Sequence, residues 1–168
     1  MRGFLFSLLA LALLIPSAHA YSEEERLVGD EVARQMLMVA LARIDQALCR
    51  REPCAPATAA EKANPPISIP EARFVIIRGF MGAFAQQCGL NWRDQSFLPM
   101  MQYWHQTMKK NERQMALIGL LHGIAMGVVE RRIECSAEER RNLDRDLTLE
   151  FDLTGQPKKR PEKRLNVL

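Results

Sequence analysis

The sequence predicts an all-α protein: an antiparallel bundle of four to five helices, stabilised by disulfides and followed by a disordered basic C-terminal tail. Three observations carry that expectation. Helix-starting signals recur along the chain: Ser22-Glu23-Glu24-Glu25, Ser68-Ile69-Pro70-Glu71, Asn111-Glu112-Arg113-Gln114 and Ser136-Ala137-Glu138-Glu139 each set a capping side chain three positions before a Glu or Gln. Apolar residues between these signals recur at three- and four-residue spacing. The chain also holds 4 cysteines, an even number, and all of them follow an export-like leader.

That leader comprises residues 1–20. Arg2 gives a positive start, residues 4–15 are apolar except for Ser7, and Pro16 and Ser17 precede the small-x-small sequence Ala18-His19-Ala20. This is the pattern of a cleavable signal peptide. Its apolar run is shorter than the roughly 20 residues a membrane span requires. The expectation is a periplasmic domain over residues 21–153, with full secretion as the alternative, and a basic tail over residues 154–168.

The first helix is expected from Ser22 to about residue 48. Ala33, Leu37, Ala40, Ile44 and Leu48 form one stripe, flanked by Val32, Met36 and Val39. Residues 49–67 contain Pro53, Pro56, Pro65 and Pro66 and read as an exposed, mobile connector. The second helix spans residues 68–87. Phe74, Val75, Ile76, Ile77, Phe80, Met81 and Phe84 surround it with apolar surface, which makes it central, and Gly89 stops it. A turn over residues 91–96 leads to a third helix over residues 97–110, with Pro99 in its first turn and Lys109 and Lys110 at its C-terminal end. The fourth helix follows Asn111 and reaches about residue 133. The fifth follows Ser136 and fades near residue 151, although residues 147–153 alternate like a short strand.

Short links make the second, third and fourth helices antiparallel neighbours. Cys49 and Cys54 then share one end of the bundle, and Cys88 and Cys135 the other. The expected pairs are Cys49–Cys54 and Cys88–Cys135, the second contributing roughly 3–4 kcal/mol by loop entropy.

The functional signals are weaker. The net charge of +3 resides in the tail, where Lys158, Lys159, Arg160, Lys163 and Arg164 face one acid, Glu162. The slightly acidic remainder argues against nucleic-acid binding, while the tail suits contact with anionic lipid or an acidic partner face. Gly119, Gly123 and Gly127 recur every fourth residue, and each costs a helix about 1 kcal/mol against alanine. Gly79 and Ala83 offer a facing groove, so these five residues form either an internal seam between the second and fourth helices or a seam for a partner or ligand. Trp92, in a turn, is the candidate surface aromatic, whereas Phe97, Tyr103 and Trp104 are assigned to the core.

Met101, His105 and Met108 fall at i, i+4 and i+7, a soft-donor spacing suited to copper(I). With Leu98 they equally form an ordinary amphipathic stripe. His122, inside an apolar helix, is expected as a hydrogen-bonded core histidine. The third reading, a hydrolase or lyase using Glu112, His122 or His105, requires an acid–base pair. No G-x-S-x-G, H-E-x-x-H, C-x-x-C or phosphate-loop pattern occurs. Size and compartment resemble those of small helical periplasmic chaperones and metal-stress proteins, a likeness of class alone, since the L-T-x-x-Q repeats of one such family are absent. The expectation is a non-enzymatic interaction protein with an envelope protein partner or client proteins, either an accessory subunit or a small chaperone. Copper binding and hydrolysis are the alternatives.

Overall fold

In the computed structural model, which describes residues 28–129 and 135–147, the apolar helix that starts at Ser68 is the element on which the others pack. The leader, the Ser22 cap, residues 148–153 and the tail lie outside the described residues.

Helix α1, Asp30–Ala42, buries Ala33, Leu37, Ala40 and Leu41. It ends earlier than its periodicity suggests. The N–H of Arg43 turns back to Ala40, a 3-10 turn follows over Ile44–Gln46, and Ala47 goes extended. The chain then forms a small antiparallel hairpin, β1 Leu48–Cys49 and β2 Glu52–Pro53. Leu48 therefore leaves the expected core stripe and is 66% exposed. Arg50 and Arg51 make the hairpin's tip with φ of 54° and 78°, the left-handed backbone that tight hairpin turns demand and non-glycine residues resist.

The connector over residues 49–67 carries regular structure that its proline content did not suggest. Beyond the hairpin, helix α2, Ala59–Ala63, opens with a capping box between Thr58 and Glu61. Cys54 and Ile67 are buried. Arg113, far along the chain, donates to Glu61 Oε2 (2.8 Å) and to the carbonyls of Ala55 (2.8 Å) and Pro56 (3.3 Å). Proline content could not reveal order created by so distant a partner.

Helix α3, Ile69–Gln87, starts at the Ser68–Glu71 capping box and stops where Gly89 adopts φ 67°. A π-helical turn, Arg93–Phe97, feeds helix α4, Leu98–Gln106. The end of α4 also falls short of expectation. The N–H groups of Thr107 and Met108 both return to the Tyr103 carbonyl, and Lys109 turns left-handed. Lys110 then pairs with Glu71 (2.6 Å) and covers the Trp104 ring. Helix α5, Glu112–Gly127, starts at the Asn111–Gln114 box, and helix α6, Ala137–Leu147, follows Ser136.

Helix α3 packs most extensively on α5 and also meets α1 and α6. Leu37, Leu41, Ile76, Met100, Leu117, Ile118 and Leu121 fill the space between these elements. Cys49 pairs with Cys54 and Cys88 with Cys135, with Cα separations of 4.9 and 5.5 Å. Two disulfides fit an oxidising, exported environment. No described helix is long and apolar enough to cross a membrane.

Candidate functional site

The contact between α3 and α5 depends on a glycine, but in a different register from the one the sequence suggests. A Cβ at Gly79 would lie 2.5 Å from the Ala125 Cβ and 2.8 Å from the His122 carbonyl, so only glycine lets the two backbones come this close. One turn on, Gly82 lies over the His122 ring and the Met126 sulfur. Ala83 is buried as expected of a packing residue. The α5 ridge of Gly119, Gly123 and Gly127 does not enter this contact, and the internal-seam reading is corrected for it. Among the described residues, nothing lies within 4 Å of a Cβ at Gly123 or Gly127, and Gly119 meets only the Met101 methyl at 3.8 Å. Helix α5 is apolar on all sides, so its sequence could not show which side would be covered. Its outer face, formed by Ala116, Gly119, Leu120, Gly123 and Gly127, bears no charge beyond Glu112 at its start.

His122 anchors an aromatic cluster on the covered side. It is 2% exposed, stacks on Trp92 at 5.8 Å between ring centroids and meets Phe97 at 4.8 Å. Trp92, the candidate surface aromatic, is half-buried, with its ring against His122. The Arg78 carbonyl accepts a hydrogen bond from the His122 ring. The ring's Nε2 has no partner among the described residues. Burial, reinforced by the Arg78 cation, lowers the His122 pKa to about 4, so the ring is neutral near pH 7.

Sequence reasoning missed Arg78. Its guanidinium is buried and donates to Ser96 Oγ (2.9 Å) and to the carbonyls of Asp146 (3.4 Å) and Leu147. The last two belong to the carbonyl end of α6, where the helix dipole favours a cation. The available signal was an arginine inside an otherwise apolar run, since a buried charge must find partners. Of the three residues named for hydrolysis, Glu112 lies far from His122. The two are ten residues apart on α5, about 15 Å along a helix, and Glu112 is paired with Arg50 at 2.9 Å.

At its N-terminal end, the outer face of α5 runs into a surface cavity of about 490 Å³ between the hairpin, α4 and α5. Met101 and His105 line it, together with Met115 and Gly119. Met108 does not. It follows the end of α4, so the helical spacing that grouped it with Met101 and His105 no longer applies. No cluster of three or more His, Cys, Asp or Glu side chains suited to a metal occurs among the described residues.

No family model matches the chain, no curated protein matches it, and no solved structure matches its fold.

Proposed function

We propose that this is a non-enzymatic interaction protein of the bacterial envelope, exported to the periplasm, which receives an apolar helix of a partner protein along the outer face of α5. It would act as an accessory subunit of an envelope assembly or as a small chaperone. One observation carries the reading: among the described residues nothing covers Gly123 and Gly127, which continue the line of Gly119 along a helix that is apolar all round. Glycine in a helix costs about 1 kcal/mol against alanine, and packing among the described residues does not account for that cost at Gly123 or Gly127. Close approach by a second helix does, because glycines spaced four apart allow backbones to cross in near contact. From Ala116 to Gly127 the face is about 17 Å long at roughly 1.5 Å per residue, enough for about three turns of a docked helix. The leader pattern and the disulfides support the compartment, and the basic tail would add contact with anionic lipid or an acidic partner face.

Photocrosslinking from α5 in the native envelope tests this reading. Wild-type protein should join a partner through the Gly119–Gly127 face, and Gly123→Leu should fold normally while losing that product. One dominant partner identifies an accessory subunit, and many unrelated clients identify a chaperone. Absence of crosslinks to this face, or a Gly123→Leu variant that keeps its partner, would overturn the proposal.

A further inference from the structure

We infer that the cavity beside the hairpin binds a soft monovalent metal ion, copper(I) in class, through the thioethers of Met101 and Met115 and the imidazole of His105. The ligand set suggested by sequence spacing alone was Met101, His105 and Met108. The fold keeps the first two on adjacent turns of α4 and replaces the third with Met115 from α5. The resulting donors come from two helices facing one open space, an arrangement that a single helical stripe cannot provide.

Several features favour a soft ion over a hard one. Two thioethers and an imidazole match copper(I), whereas magnesium and calcium demand oxygen ligands. The cavity's one carboxylate, Glu112, is paired at 2.9 Å with Arg50, which lines the same cavity, so its charge is balanced within the wall. All described cysteines are disulfide-bonded, which leaves methionine and histidine as the soft donors. The Met101 methyl lies over Gly119, 3.8 Å from where a Cβ would stand. Met101 and Met115 pack against the edge of the core but are only partly buried, and both border the cavity. His105 is exposed and lines the cavity from the α4 side.

The cavity shares Ala116, Gly119 and Leu120 with the docking face, but Gly123 lies outside its lining, so Gly123→Leu tests docking while the methionine variants test the metal site. Anaerobic titration of the full-length protein with copper(I), against a chromophoric chelator of known affinity, provides the test. Wild type should withdraw copper from the chelator. Met101→Leu and Met115→Leu, which preserve side-chain size, should each weaken binding at least about tenfold, the loss typical of even an outer-shell partner. Met108→Leu should leave affinity unchanged. Circular dichroism confirms that each variant is folded. Failure of the wild type to compete for copper would overturn the inference, as would equal losses in Met108→Leu and Met115→Leu.

Discussion

Gly79 and Gly123 belong to the two helices that pack most closely, and a methyl group added at each should act in opposite directions. At Gly79 it collides with the Ala125 Cβ and with the α5 backbone, neither of which can move aside cheaply. Gly79→Ala should destabilise the protein by about 1–3 kcal/mol, the range for forced overpacking. At Gly123 the methyl meets nothing, so Gly123→Ala should add about 0.5–1 kcal/mol of helix propensity. Urea midpoints measure both, and a destabilised Gly123→Ala would show that this face is covered from within. His122 gives a second prediction. Its folded pKa of about 4 lies below the unfolded value of roughly 6.5. As pH falls below about 6.5, the unfolded chain takes up a proton that the folded ring refuses. Stability should therefore decline from about pH 6.5 towards 4, by up to about 1.4 kcal/mol per pH unit. Glu61, lowered to about 2 chiefly by its hydrogen bond to Arg113, adds its own loss only below its ordinary pKa of 4.5. The two windows are separable. NMR titration should show the His122 ring neutral through about pH 5, and a ring that protonates near its ordinary value would contradict the cluster described here.

The helices differ in how far their limits could be read in advance. Starts at Ser68 and Asn111 were legible because a capping box is a local device whose two partners sit three residues apart. The ends of α1 and α4 were not, because apolar spacing continues past both while the backbone has already turned back on itself. Nor was the order of the segment between α1 and α3, which depends on Arg113 reaching across from α5. That dependence can be tested. Arg113→Ala should loosen α2 and the chain around Ala55 and Pro56, raising amide hydrogen exchange there. The global urea midpoint should change by less than about 1 kcal/mol, since the ion pair is partly exposed. A large global loss would mean that this segment and the core unfold together. Small-residue spacing on α5 is a related lesson. It establishes which glycines share a face, but an apolar helix carries no gradient to say where that face points.

For the molecule as a whole, the cysteine pairs could be anticipated because link lengths decide which helix ends meet. The same reasoning could not place Met115 beside Met101, since that depends on the roll of α5 about its own axis. The two disulfides should not contribute equally. Loop entropy assigns about 4 kcal/mol to Cys88–Cys135, whose cysteines are 47 positions apart, and about 2 kcal/mol to Cys49–Cys54, 5 positions apart. Replacing both cysteines of the first pair by alanine should lower the unfolding free energy more than the same change in the second. Equal losses would imply that Arg78, which grips the carbonyl end of α6, holds that helix without covalent help. The hairpin has a different consequence. Its tip offers Arg50 and Arg51, both exposed, to any protease that cuts after basic residues. A nick there falls inside the small ring closed by Cys49 and Cys54, so nothing is released. Such a clipped chain should run as one band on a gel without reductant and as two with it, which makes trypsin a simple reporter of whether that ring has closed.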